Sequence, residues 1–351
     1  MPEEEELIID VDKEWHLSAT RITDWLTCPS MYHRKHILKQ PSPRKSATQF
    51  GSALHAAIEK WHELGDKDLP IQEVWYGIYA EYFPTVWPQV RPMVIQSQLL
   101  DELEVQIMKR RPDLKGPRQT KEWLMSNEWR DFCEYKVILD DRIVEQEQDP
   151  KGLVFSKTEP PFKLWTLGLE LAEKYVHVWE KQPDPIAIEI SFEHPMVGNI
   201  WMRGRIDCIR PVVNVGTGEC AMATIDWKSG VKPMTPQSAF VQGTIYAHAT
   251  RSGVMPDEYF SDLVLFQSLR EGTIQPFKYH DGCWPILQTI IGEVVHGLER
   301  KAYPRCFSMM GCGMCDYKDD CASELGVFPS GPVAAELLIG GEETTDAERG
   351  Y

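Results

Sequence analysis

Residues 186–193 read Ile186-Ala187-Ile188-Glu189-Ile190-Ser191-Phe192-Glu193, and residues 221–228 read Ala221-Met222-Ala223-Thr224-Ile225-Asp226-Trp227-Lys228. Between them Ile200 to Arg210 carries the same alternation, with Asn214, Gly216 and Gly218 marking a turn. A period of two is the mark of strands with one face buried. Three such runs joined by short connections predict an antiparallel meander. Alternation also decides which side chains meet. Asp226 and Lys228 share a face of the third strand, Asp207 shares one with Arg203 and Arg205 on the second, and Glu189 shares one with Ser191 and Glu193 on the first. Placing the apolar sets opposite gathers Glu189, Asp207, Asp226 and Lys228 on one sheet surface.

Carboxylates gathered in this way raise one another's pKa unless a cation lies between them. A divalent metal resolves the conflict and brings chemistry with it, since it polarises a phosphate oxygen and acidifies water. Two aspartates suit Mg²⁺, which keeps several waters, and Lys228 beside it would offset charge building on phosphate. Taken alone, an Asp-x-Lys triplet is far more often part of a solvated sheet face, here with salt bridges among Arg203, Arg205, Asp207 and Lys228.

Working outward, Pro236 to Thr250 returns to helical spacing, Leu263 to Gln267 reads as a strand and Trp284 to Arg300 as a closing helix. Upstream, Leu17-Ser18-Ala19-Thr20-Arg21-Ile22 opens a helix with Ser18 as its cap, and Cys28-Pro29 breaks it. A basic stretch from Arg34 to Lys45 leads to a helix from about Gly51 to Leu64, with Leu54, Ile58 and Trp61 on its apolar side. His55, Glu59 and His62 share its other face, where Glu59 and His62 read as peripheral. Residues 66–184 read mostly helical, with breaks at Pro84, Pro88, Pro92 and Pro112 and a clear helix from Phe162 to Lys181. Within them Lys109, Arg110, Arg111, Lys115, Arg118 and Lys121 lie beside Trp123 and Trp129. Cations beside stacking rings make a single-strand surface; a solvated linker with two core tryptophans is the plainer alternative.

A formal net charge of -16 over 351 residues excludes bulk attraction to nucleic acid. Much of it loads the two ends, Glu3 to Glu14 and Glu336 to Glu348, which read as disordered acidic tails. No apolar run approaches the ~20 residues that span a bilayer, so no membrane role is expected, and the acidic start is unlike a secretory leader. The expectation is a cytoplasmic protein of a bacterium or a phage-infected cell. No Gly-x4-Gly-Lys-Ser/Thr phosphate loop is present, so no ATP-driven motor is expected. Of nine cysteines, Cys133, Cys208, Cys220 and Cys283 are scattered and read as small buried apolar residues. In a reducing compartment the clustering of Cys306-x5-Cys312-x2-Cys315-x5-Cys321 points to a metal more often than to a disulfide. By itself it does not separate zinc from iron.

Gly51-Ser52-Ala53-Leu54-His55, Gly204-Arg205-Ile206-Asp207, Ile225-Asp226-Trp227-Lys228 and Gln242-Gly243-Thr244-Ile245-Tyr246 occur in that order. Together they resemble the motifs of the RecB-like branch of the PD-(D/E)XK nucleases, which includes CRISPR-adaptation nucleases and AddB-type exonuclease domains. The resemblance implies metal ligation by His55, Asp207, Asp226 and the Trp227 carbonyl, with Lys228 catalytic. It implies that Gln242 and Tyr246, four apart on one helix face, contact phosphate or support the lysine. Glu189 lies where such proteins carry a further acid, and Glu193 on the same face stays open as an alternative. The resemblance also implies a [4Fe–4S] cluster on Cys28, Cys312, Cys315 and Cys321; Cys306 lies outside the pattern, and which of Cys28 and Cys306 is the fourth ligand stays open.

The expected fold is therefore α/β: a restriction-endonuclease-like core with a central mixed sheet flanked by helices, a helical insertion and a C-terminal Fe–S segment. The expected divisions are an acidic tail (1–15), N-terminal helices with Cys28 and His55 (16–65), the insertion (66–184), the nuclease core (185–300), the cysteine segment (301–325) and a second acidic tail (326–351). The expected activity is Mg²⁺- or Mn²⁺-dependent exonucleolytic hydrolysis of single-stranded DNA ends in recombination, repair or phage DNA metabolism, with a recombination or helicase partner and an oligomeric state left open. Nucleic-acid contacts are expected at Arg203 and Arg205, and at Lys109, Arg110 and Arg111. A CRISPR-adaptation-like end processor working with a partner is the nearest alternative, and a non-catalytic nucleic-acid-binding scaffold the next.

Overall fold

A computed structural model describes residues 15–65, 70–96, 105, 107–109, 111, 113–126, 153–197, 199–214, 216–230, 233–307 and 309–325. Both acidic tails, Arg110, Trp129 and Cys133 lie outside the described residues. The chain divides into two compact units, Met1–Thr23 with Pro43–Arg300, and Asp24–Ser42 with Lys301–Tyr351.

The larger unit is built on a six-stranded mixed sheet. In chain order its described elements are β1 (Trp15–Leu17), the start of α1 (Ala19–Thr27), β2 (Arg44–Lys45), α3 (Ser46–Leu64), α4 (Ile71–Tyr82), α5 (Trp87–Gln96), α6 (Pro117–Met125), β3 (Leu153–Val154), α7 (Pro161–Trp179), β4 (Ala187–Val197), β5 (Ile200–Val213), β6 (Cys220–Lys228), α8 (Pro236–Arg251), β7 (Leu263–Ser268), β8 (Ile274–Lys278) and α9 (Cys283–Glu299). The short helix α2 (Pro29–Tyr32) belongs to the smaller unit.

The expected meander is present: β4 pairs antiparallel with β5, and β5 with β6. Parallel β7 then extends the sheet beside β6, and β8 closes that edge antiparallel. Two strands that alternation did not disclose complete it. β8 is five residues long, and β1 is a three-residue strand running parallel to the start of β5, with His16 beside Trp201. β1 is too short to show a period, and the Ile274-Gln275-Pro276-Phe277-Lys278 run of β8 does not alternate apolar with polar and carries a proline.

Along β6 the alternation separates two layers. Ala223, Ile225 and Trp227 enter one apolar core with Cys208 of β5, Phe50, Leu54 and Ile58 of α3, Trp75 of α4, and Trp165 and Tyr175 of α7. The region 66–184 thus shares its described hydrophobic core with the sheet. Asp226 and Thr224 face the other layer, where Tyr246 of α8 reaches Asp226. Ser18 caps α1 as expected, its Oγ accepting from the Arg21 peptide N–H at 3.3 Å.

Several local expectations are corrected. Helix α3 begins at Ser46, so Gly51 lies inside it rather than leading it. What Gly51 provides is room, since a Cβ there would fall 2.7 Å from Ser229 Oγ. Pro88 and Pro92 do not break α5. Pro88 occupies the first turn, where no helical N–H bond is lost, and Pro92 forgoes only its bond to the Pro88 carbonyl. Cys208 and Cys283 are buried, but Cys220 is exposed because β6 begins beyond the edge of the core. No helix among the described residues is long and apolar enough to cross a membrane.

In the smaller unit, Cys28 sits in extended backbone immediately before α2. α10 (Met309–Met314) and α11 (Lys318–Glu324) come from the other end of the chain. The two segments are knitted by ion pairs, a stack and backbone bonds. Arg34 pairs with Glu324 at 2.6 Å, the Tyr317 hydroxyl donates to the Gln40 carbonyl at 3.0 Å, and Tyr303 stacks on His33 at 4.0 Å.

Candidate active site

His55, Glu189 and Asp207 converge so that one potential ligand atom from each lies within 4.8 Å of the others. His55 reaches in from the middle of α3, with Nδ1 3.4 Å from Glu189 Oε1 and 3.5 Å from Asp207 Oδ1. Its Nε2 donates to the Trp227 carbonyl at 2.9 Å. Asp207 is buried on β5 and accepts from the Trp227 peptide N–H at 2.7 Å, so the β6 backbone grips both the acid and the imidazole.

Glu189 adopts φ +49, in the left-handed region, within β4. For a residue with a Cβ that conformation costs roughly 1–2 kcal/mol, and such outliers concentrate at functional sites. Its carboxylate is 3% exposed, yet neither oxygen makes a well-formed hydrogen bond, although Arg205 Nε approaches to 2.6 Å. Glu193 shares its strand face but is exposed and held by Arg203 at 2.6 Å and His16 at 3.1 Å. The geometry therefore brings Glu189, and not Glu193, to His55 and Asp207.

Asp226 stands beside this group in a second set of contacts. Lys228 Nζ lies 2.5 Å from its Oδ2, and Gln242 Nε2 donates to its Oδ1 at 2.7 Å. Lys228 also donates to Gln242 Oε1 at 3.1 Å, so one amide holds the acid and the lysine together. The Tyr246 hydroxyl accepts from the same Gln242 Nε2 at 2.7 Å and donates to the Arg205 carbonyl at 2.8 Å, tying α8 to β5. Helical i, i+4 spacing puts Gln242 and Tyr246 over one strand pair.

The electrostatics follow from five ionisable groups, His55, Glu189, Asp207, Asp226 and Lys228, crowded together. Burial opposes the His55 imidazolium, but the Asp207 and Glu189 carboxylates outweigh it and raise its pKa to about 10. Burial likewise opposes ionised Asp207, and His55 overcomes it, pulling that carboxyl below the usual range. Asp226 goes the other way: burial, with Asp207 adding to it against Lys228, pushes it up to about 6. The imidazolium proton thus fills a negative field that a divalent cation would fill better. The donor set fits such an ion: hard carboxylate oxygens, an imidazole nitrogen, and buried oxygens of Glu189 and Asp226 that already face the cationic groups His55, Arg205 and Lys228.

The second nucleic-acid expectation fares differently. Trp123 is buried and Arg111 lies over its ring at 5.1 Å while pairing with Asp113 at 2.6 Å; Arg118 pairs with Glu122 at 3.0 Å. Trp123 is a core residue, not a stacking platform, because α6 turns it inward. Lys109 is exposed.

In the smaller unit, Cys28, Cys306, Cys312, Cys315 and Cys321 all line one cavity of about 240 Å³, with Arg34, Arg305 and Lys318 in its wall. Burial, joined by the neighbouring Cys28 and Cys312 sulfurs, raises the Cys306 and Cys315 thiols above their usual value.

A mixed sheet flanked by helices, with imidazole, carboxylates and lysine gathered over its central strands, is the arrangement of a metal-dependent hydrolase of phosphate esters. Residues 16–322 match the PD-(D/E)XK nuclease superfamily, and the chain belongs to that superfamily. No curated protein matches the chain.

Proposed function

We propose that this protein is a divalent-metal-dependent DNA exonuclease acting on single-stranded ends, of the RecB-like kind, with a structural [4Fe–4S] centre in its smaller unit. The observation that carries the nuclease reading is the convergence of His55, Glu189 and Asp207 beside the Asp226–Lys228–Gln242–Tyr246 chain. His55, Asp207, Asp226, the Trp227 carbonyl and Glu189 would hold Mg²⁺ or Mn²⁺. Such an ion supplies Lewis acidity toward a phosphate oxygen and lowers the pKa of water.

The chain's own groups do the rest. Lys228, fixed by Asp226 and Gln242, presents an ammonium to the charge that builds on phosphate during in-line attack. Asp226, which burial pushes up to about 6, is favoured in its charged form by Lys228 and by the ion it would help to hold. Gln242 and Tyr246 hold Asp226 and Lys228 in register. For the smaller unit, the raised thiols favour a cationic centre, which deprotonates its thiolate ligands outright. Four of the five cysteines that line the cavity would supply the thiolate ligands of a [4Fe–4S] centre.

The test is cleavage of end-labelled single- and double-stranded DNA with Mg²⁺ or Mn²⁺, comparing wild type with Asp226→Ala. Metal-dependent shortening from one end by wild type, reduced at least a hundredfold in a folded mutant, is the expected result. Equal cutting by the mutant, or no cutting by an iron-loaded wild type, would sink the reading.

A further inference from the structure

The exposed face of the β4–β5 pair holds residues that the metal site does not use. On β5, Trp201, Arg203, Arg205 and Asp207 follow one another at every second position, so all four project from the same face. Met202 and Ile206, between them, are buried on the other side. Arg203 and Arg205 keep 55% and 51% of their side chains exposed, in a chain whose net charge is -16. At the far end His16 of β1 lies in register with Trp201 and stacks against it, ring centroids 6.4 Å apart and 27° from parallel. Across the pair, Ser191 faces Arg205, Glu193 faces Arg203 and Pro195 faces Trp201, and all three are exposed.

The geometry points to this row as the track along which a single strand enters the active site: Arg205 and Arg203 take successive phosphates, and Trp201 with His16 stacks a base upstream. The inference rests on the nuclease reading and deepens it. Three physical features carry it. The row is continuous with the metal-site group, since Arg205 Nε touches Glu189 and Glu189 touches His55. Two strand residues rise ~6.6 Å, comparable with the spacing of phosphates along an extended strand, so each exposed arginine meets a new phosphate. Cations followed by a stacking ring are what single strands require, and a base presents its π-face to a ring only when unpaired. Each arginine uses Nε on a carboxylate, leaving the outer nitrogens of the guanidinium for phosphate oxygens. Glu193 opposes the track, because it holds Arg203 and adds a negative charge.

The experiment is fluorescence anisotropy with labelled oligothymidylates of two to twelve nucleotides and a matching duplex, in Ca²⁺ and in EDTA, across a salt series. Wild type, Arg203→Gln, Trp201→Ala, Trp201→Phe and Glu193→Gln are compared, each checked by circular dichroism. Trp201→Ala is expected to weaken the longer single strands about tenfold, to leave dinucleotide binding unchanged, and to be rescued by Trp201→Phe. Arg203→Gln should lower the salt slope by ~0.7, the value for one phosphate contact on a single strand, whereas Trp201→Ala should not alter it. Glu193→Gln should tighten binding. Variants that bind every length as wild type does, while wild type binds and cuts, would overturn the track alone. Tighter binding of duplex, with the same residue dependence, would overturn the single-strand assignment. A wild type that neither binds nor cuts DNA would overturn the nuclease reading and the track with it.

Discussion

Glu189 is the residue at which local cost and local chemistry meet. Its left-handed backbone turns a nearly buried carboxylate toward His55 and Asp207, while Glu193, four residues on and on the same face, stays in regular strand and in solvent. Two acids of the same strand are thereby separated into a ligand candidate and a surface ion pair. Glu189→Gln should weaken Mn²⁺ binding at least tenfold by calorimetry, about 1.4 kcal/mol, and should remove the same increment from the stabilisation that saturating Mn²⁺ confers. Glu193→Gln should leave Mn²⁺ affinity unchanged. Equal affinities for both variants would mean that Glu189 is no ligand. Sequence alternation placed both acids on the right face, but it assumes one backbone conformation throughout and so could not tell them apart.

At the scale of elements, the site depends on how closely helices approach the sheet. On α7, a Cβ at Gly168 would fall 1.9 Å from Cζ2 of Trp75, whose indole N–H donates to the Trp165 carbonyl. Gly168→Ala gains helix propensity of about 1 kcal/mol but must displace a buried indole. We expect a net loss of roughly 1–2 kcal/mol in denaturant unfolding; a stabilised variant would show that α7 has room to shift. On the other layer, α8 docks through His248, whose ring stacks on Trp284 of α9 at 3.3 Å. Burial, with His194 and Arg251 adding to it, lowers the His248 pKa to about 4 from 6.5. A depressed histidine contributes stability that is complete above its unfolded pKa and lost as pH falls through its folded one. Between pH 6.5 and 4 the protein should therefore lose on the order of 1 kcal/mol through this ring, discounted for its partial exposure. His248→Phe should flatten that part of the pH–stability curve, and an unchanged curve would assign the loss elsewhere.

At the scale of the whole molecule, the smaller unit is made from two segments at opposite ends of the chain, and its five cysteines surround one cavity. A centre ligated by Cys28 and the C-terminal cysteines would close a loop of nearly the full sequence, where the entropy recovered from the unfolded state is largest. Cys28→Ser should lose iron and its absorbance and open residues 24–42 and 301–325 to limited proteolysis, while Cys306→Ser keeps both intact. The reverse pattern would make Cys306 the fourth ligand.

The strand period, the Ser18 cap and the ordered set of His55, Asp207, Asp226, Lys228, Gln242 and Tyr246 were legible in the sequence. Each depends on spacing along one element, which backbone geometry fixes locally. The exposure of Cys220, the burial of Trp123, the short strands β1 and β8 and the selection of Glu189 over Glu193 were decided only in three dimensions. Those outcomes depend on where one element ends against another and on which charges become neighbours when water is excluded, and no spacing within a single element encodes either.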